Sequence, residues 1–279
     1  MKFGKFEINA FVEQKFRLDG GMMFGVVPKV IWNKLIPADE NNFIPMTCNL
    51  YVLKAHGKNM IFDIGLGDTL NDKEKIVYNT DAKTSMEKEL AALELKPEDI
   101  DYVILTHLHT DHAGGMASIE SGEFVPRFKN AKYLATKEEW EVAVNPSERT
   151  AVVYNPERLM AIKDSGRLEL IDANMELFPG IRAVYTGGHT EGHFALEMES
   201  EGKRVFYYAD IIPTASHMSI PYIAATDVRP SESMEVKRKI LPRLLGKDII
   251  LAFVHDVNIT FGKVSQDGRK YKVTPVSGF

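Results

Sequence analysis

The sequence predicts an α/β protein in which a mixed β-sheet packs between helical layers. Three observations support this. Apolar strand-like runs alternate with amphipathic helical stretches, X-Gly turns mark antiparallel hairpins, and several strand candidates end on His or Asp.

In chain order, Asn49 to Ala55 and Met60 to Asp63 flank His56-Gly57 and form the first predicted hairpin. Ser85 to Leu93 places Met86, Leu90 and Leu93 on one face, which predicts a helix. Tyr102-Val103-Ile104-Leu105 reads as a short buried strand. Thr136 with Glu139 forms a capping box ahead of Trp140, Ala143 and Val144. Ile181 to Tyr185 is the next strand, and Phe194 to Glu199 pairs with Arg204 to Tyr208 across Glu201-Gly202. A helix is expected between Ser233 and Leu245, kinked or shortened by Pro242. Ile249 to Val254 is a strand, and Phe261 to Val264 pairs with Lys270 to Val273 across Asp267-Gly268. The stretch from Asp19 to Asn42 lies outside this pattern. Its Met, Phe and Trp32 side chains suit a pocket wall or a subunit contact, packing or dimer contact being preferred to direct substrate contact.

The densest chemistry is Thr106-His107-Leu108-His109-Thr110-Asp111-His112-Ala113-Gly114-Gly115, directly after the strand at 102–105. His107 and His109 are two apart, so on an extended segment they face the same side and can share one ion. Asp111 and His112 are adjacent and diverge, and the glycine pair lets the backbone turn into a helix while they reach a second position. The spacing suggests two metals. His189 after Gly187-Gly188, Asp210 after Val205 to Ala209, and His255 after Ile249 to Val254 are further candidates, each at a strand end. Cys48 is the single cysteine, so the ligands are imidazole and carboxylate, which suit Zn, Mn, Fe or Co.

With HLHTDH, the HTEGH segment at His189 to His193, Asp210 after Tyr-Tyr-Ala and His255 in FVHD, the chain resembles metallo-β-lactamase-fold hydrolases. The resemblance implies a four-layer αβ/βα sandwich of two mixed sheets with helices outside. It implies that His107, His109 and His189 hold one metal, that Asp111, His112 and His255 hold a second, and that Asp210 bridges both. The expected cofactors are two divalent ions, Zn first among them. Gly20 to Lys29 and Ile36 to Glu40 further resemble the branch containing quorum-quenching lactonases and methyl parathion hydrolase. Asp63 resembles the family's buried aspartate that holds the ligand loop, and Thr106 and His193 are either similar supports or ordinary structural groups. Two positions depart from the pattern: Glu191 where many relatives have proline, and Pro213 where some acyl-homoserine lactonases have a tyrosine.

The function implied is hydrolysis of a lactone or carboxylic ester, an acyl-homoserine lactone among them, by attack of a metal-bridging hydroxide, with Asp111 and Asp210 as catalytic residues. Asp111 could also shuttle a proton. The alternatives are phosphotriester or phosphodiester hydrolysis at the same site and a non-catalytic metal-binding domain. A glyoxalase-II-like thioesterase is disfavoured because 24 residues follow His255. Asp210 counts against a true β-lactamase, and His109 stands where oxygen-reducing diiron relatives carry glutamate.

The composition agrees with a large core: 279 residues, 44% hydrophobic. No linker-like or low-complexity tract appears and the ligands run from His107 to His255, so one hydrolase domain over 1–279 is expected. A net charge of -5 gives no footprint for nucleic acid. The N-terminal stretch has no signal-peptide pattern and no apolar run approaches a membrane span, so a cytoplasmic protein acting on a small ester or lactone, with homodimerisation as the expected assembly, is predicted. His56, at a hairpin tip, should be solvated. His217 could approach the cleft but has no ligand counterpart, and Asp256 either orients a ligand or caps a loop. Tyr207 and Tyr208 read as core.

Overall fold

The computed structural model describes residues 1–279. The chain forms two compact units, each assembled from separated stretches. One comprises Phe6–Lys15 and Cys48–Asp172; the other comprises Met1–Lys5, Phe16–Thr47 and Ala173–Phe279. They are called here the Cys48–Asp172 unit and the Ala173–Phe279 unit.

The first large sheet runs in the order Lys2–Phe3, Phe6–Asp19, Phe43–Ala55, Lys58–Phe62, Tyr102–Ile104, Lys132–Thr136, Leu168–Ile171. Phe43–Ala55 and Lys58–Phe62 are the expected antiparallel hairpin across His56-Gly57. From Lys58–Phe62 onward the strands are parallel. Parallel neighbours need crossovers: Met86–Ala92 lies on the first, the short turn Thr110–Ala113 on the second, and Lys137–Val144 and Pro156–Asp164 on the third. Val103 and Ile104 are fully buried, as a continuous apolar run in a covered parallel sheet should be. Phe62 pairs with Ile104, so Asp63 emerges beside the start of the histidine loop. Register alone brings these distant residues together.

The second large sheet runs in the order Glu176–Phe178, Ile181–Tyr185, Phe194–Ser200, Lys203–Tyr207, Ile249–Ala252, Phe261–Asp267, Lys270–Pro275. Lys203–Tyr207 and Ile249–Ala252 are parallel, with Tyr207 opposite Ala252. Asp210 and His255 each follow three residues beyond that matched pair, so they leave the sheet side by side. Ile181–Tyr185 is antiparallel to Phe194–Ser200, which is antiparallel to Lys203–Tyr207. His189 therefore leaves at the same end. The crossover helix Pro230–Ile240 buries Ser233, Lys237 and Ile240 in one stripe, and Ile240 and Leu241 pack with Phe206, Leu251 and Phe253.

The three X-Gly hairpins form as expected. A fourth, Ala117–Glu120 with Glu123–Pro126 about Ser121-Gly122, forms a separate two-stranded sheet that the sequence reading missed. The 14-residue strand Phe6–Asp19 was also unassigned, because buried Glu13 and Gln14 break its alternation. The helix expected near Ser233 begins at Pro230, stops at Ile240, and gives way to a 3-10 turn, Leu241–Leu244, that contains Pro242. A proline ring cannot continue the α ladder.

The Asp19–Asn42 stretch closes on itself. Gly20 N–H donates to Asn42 O at 2.8 Å, and Asp19 accepts from Met22 N–H at 2.9 Å and from Asn42 Nδ2 at 2.6 Å. It carries two short helices, Gly20–Phe24 and Lys29–Trp32. Phe24 stacks between Trp32, at 5.4 Å and 3°, and His217, at 4.6 Å and 16°. Its large aromatics are thus part of the packing of the Ala173–Phe279 unit. No helix is long and apolar enough to cross a membrane.

Candidate metal centre

In the Cys48–Asp172 unit, His107, His109, Asp111 and His112 are all buried on the loop leaving Tyr102–Ile104. Ligand atoms of His107 and His109, of His107 and His112, and of Asp111 and His112 lie within 4.8 Å of one another. Asp63 holds the loop in place. Its carboxylate accepts from Thr106 N–H at 2.8 Å, from the Thr106 hydroxyl at 2.9 Å and from His112 Nδ1–H at 3.0 Å. That third bond fixes the His112 tautomer and makes Nε2 the ring's acceptor atom. Asp63 has φ of 49°, a left-handed backbone that a short polar side chain tolerates. Glu139 accepts from Leu108 N–H at 2.9 Å and from Tyr154 O–H at 3.2 Å, and the Tyr154 ring packs edge-on to His109 at 5.1 Å. Tyr78 O–H reaches Asp111 Oδ1 at 3.5 Å.

The glycine pair acts differently from the expectation. His109 caps one helical turn, Thr110–Ala113, that precedes the glycines, and Gly114–Met116 is a 3-10 turn. Gly114 and Gly115 are needed for close packing: a Cβ on Gly115 would lie 2.2 Å from Ile64 O, and one on Gly114 would lie 2.4 Å from Leu66 O. This contact seats the histidine loop on the segment after Asp63.

In the Ala173–Phe279 unit, His189, Asp210 and His255 form a second cluster. His189 Nε2 is 3.2 Å from Asp210 Oδ2, and His255 Nε2 is 3.4 Å from Asp210 Oδ1. One carboxylate thus presents a different oxygen to each imidazole. Both rings are oriented through Nδ1: His189 by Asp227 Oδ1 at 2.8 Å, and His255 by Thr47 O at 2.9 Å. A carbonyl only accepts, so His255 Nδ1 carries the proton and Nε2 is the ring's acceptor atom. Ser233 O–H donates to the other oxygen of Asp227. Pro213 O accepts from His255 N–H at 3.0 Å, so this residue fixes the ligand strand end.

The supporting candidates separate cleanly. Thr106 touches both Asp63 and His107 Nδ1, the latter at 3.2 Å. His193 Nδ1 is bonded to the Thr186 hydroxyl, and its ring is edge-on to His189 at 5.7 Å. Both nitrogens of His217 are engaged, Nε2 with Met23 O at 2.9 Å and Nδ1 with the Thr214 hydroxyl at 2.8 Å. Burial lowers its pKa to about 3, so the ring is neutral and serves the aromatic stack. Asp256 caps a loop, accepting from Ala215, Asn258 and Ile259 N–H. His56 is exposed and Tyr207 and Tyr208 are core, as expected. Asp227, Tyr78 and Tyr154 were missed, and Glu139 was read only as a cap.

The donor set fits divalent ions of the Zn, Mn, Fe or Co kind: imidazoles with tautomers fixed from behind, carboxylates, and no thiolate ligand. The Metallo-beta-lactamase superfamily model matches residues 44–255, a span that contains all seven candidate ligands. The chain belongs to the metallo-β-lactamase superfamily. A similar solved structure, of a probable metal-dependent hydrolase from Staphylococcus aureus, is 31% identical with a TM-score of 0.89, covering 99% of each chain. The dizinc quorum-quenching lactonase AidC superimposes with a TM-score of 0.80 at 20% identity, over 100% of this chain and 97% of that one, which speaks to the fold alone. An N-acyl homoserine lactonase of Bacillus cereus is 28% identical over 169 residues, 57% of this chain. That alignment spans 60% of the lactonase's length. The two mixed sheets with interleaved helices are those of the metallo-β-lactamase fold, as the sequence predicted.

Proposed function

We propose that this protein is a dinuclear metal-dependent hydrolase that opens lactones or cleaves carboxylic esters. The observation that carries the reading is the paired arrangement of ligands. Each unit ends its parallel strands in a buried cluster, and Asp210 offers one oxygen towards each of two imidazoles whose Nδ1 atoms are already occupied. In the reading offered, His107, His109 and His189 take one ion, Asp111, His112 and His255 take the other, and Asp210 is common to both. Two such ions, zinc in the first instance, would supply a Lewis acid for the carbonyl oxygen and a water of lowered pKa.

The chain's own groups do the rest. Asp63, Asp227 and Thr47 O hold three imidazoles in the required orientation, so little reorganisation accompanies ion binding. Asp111, with Tyr78 O–H against Oδ1, is placed to take a proton at its carboxylate and return it to the leaving alkoxide. Asp111→Asn with unaltered metal content should lose about 100-fold in kcat, and full turnover would remove this role.

The lactonase relatives favour a lactone over a phosphotriester as substrate. Parallel assays of an acyl-homoserine lactone panel, aryl esters and an aryl phosphotriester test the order; strong preference for the phosphotriester would reverse it. Single, buried Cys48 fits a reducing, cytoplasmic setting. For assembly we favour a homodimer through the apolar side chains that Asp19–Asn42 exposes, Val26 at 91% and Val30 at 73%. Light scattering of Val26→Asp/Val30→Asp should report a monomer where the unaltered protein is a dimer.

A further inference from the structure

The Ala173–Phe279 unit contains a cavity of about 720 Å3 to which none of the seven proposed ligands contributes. That volume lies within the range of small-molecule sites. One wall is the irregular segment 215–222 together with Leu35, and the other is the run 269–273 on the edge strand Lys270–Pro275. Tyr271 and Val273 point inward and pack on the core cluster that includes Met218, so the floor is apolar. The mouth is cationic. Arg269, Lys270 and Lys272 line it, and no Asp or Glu does, although the chain as a whole carries a charge of -5. Lys272 is paired with Asp267 at 2.6 Å, which leaves Arg269 and Lys270 as the exposed cations there. Ser216 and Ser219 add hydroxyls on the opposite wall.

The 215–222 wall is built in advance. Lys237 is fully buried, and its ammonium donates to His217 O at 2.6 Å, Ser219 O at 2.8 Å and Tyr222 O at 2.8 Å. An ammonium in the interior is costly unless its hydrogens are all satisfied, and here all three are spent on carbonyls of this one segment. The segment is further tied by Ala215 N–H to Asp256 at 2.9 Å. A loop held this firmly keeps the cavity open without a ligand, which lowers the ordering cost of binding.

We infer that this cavity is a second ligand site, distinct from the metal centre, that takes an amphiphilic carboxylate of the medium-chain fatty-acid type. The alkyl chain lies on Met218, Ile220, Tyr271 and Val273, and the carboxylate meets Arg269 and Lys270. Binding requires neither metal ions nor hydrolysis, so the inference stands apart from the proposed reaction.

Calorimetric titration of the metal-loaded protein with decanoate, decanol and decyltrimethylammonium tests it. Decanoate should bind at least tenfold more tightly than either comparator. Arg269→Glu/Lys270→Glu, both exposed, should weaken decanoate at least tenfold while metal content and thermal midpoint stay unchanged. Ile220→Trp, which fills the floor without altering charge, should also weaken decanoate. Absence of decanoate binding, equal binding of the cationic amphiphile, or decanoate affinity that survives both variants would overturn the inference, the last by placing the carboxylate elsewhere.

Discussion

At the residue scale, the proposed site depends on groups that fix imidazoles from behind. Asp227 is the clearest case: it accepts from His189 Nδ1–H and from Ser233 O–H, and no motif surrounds it in the sequence. Asp227→Ala should weaken binding of one of the two ions by 10- to 100-fold, read by competition with a chelating dye, while leaving the second ion in place. The seven candidate ligands could be named from the sequence because strand ends and a dense histidine motif announce them. Asp227, Tyr78 and Tyr154 could not, because the candidate ligands they touch are brought to them by folding and lie 33 to 45 positions away. Glu13 gives a separate test. Burial raises its carboxyl to about 7, against weaker opposing pulls from Thr84, Leu66 and Arg127. The native state therefore keeps a proton that the unfolded chain releases near pH 4.5, and stability falls as pH rises from there to 7. Above pH 7 the penalty is on the order of 3 kcal/mol. Urea unfolding at pH 5 and pH 8 should show Glu13→Gln gaining relative to the unaltered protein only at the higher pH. An equal difference at both values would refute the assignment.

At the element scale, the ligand loop is seated by backbone contact. Gly115 approaches Ile64 O too closely for any side chain, and its N–H donates to Gly65 O at 3.0 Å. Gly115→Ala should cost about 3 kcal/mol by overpacking and displace the helical turn that carries Asp111 and His112. Denaturant unfolding measures the first effect and metal content the second. An unchanged midpoint would show that the loop has room the geometry denies. Hairpins about His56-Gly57, Glu201-Gly202 and Asp267-Gly268 were legible because their flanks alternate cleanly. Ser121-Gly122 carries the same signal, but the flanks Ala117–Glu120 and Glu123–Pro126 are four residues each, with a glutamate beside the turn on both sides, too short to show an alternating run. In Phe6–Asp19 the buried Glu13 and Gln14 defeat a period-two reading.

At the scale of the whole molecule, two sheets each carry candidate ligands beyond the carboxyl ends of parallel strands, the place where open α/β sheets bind ligands. The order of the candidate ligands along the chain disclosed the family. The interleaving of 1–5, 16–47 and 173–279 into one unit was not legible, because unit membership depends on contacts between remote segments rather than on composition. If ions bind the native state at both clusters, a chelator should lower the thermal midpoint by an amount that added zinc restores. The decisive measurement is elemental analysis of gently purified protein combined with anomalous scattering from its crystals. The account predicts two ions per chain, one among His107, His109 and His189, the other among Asp111, His112 and His255, both touched by Asp210. A single ion held by one cluster, with Asp210 turned away from it, would contradict the account.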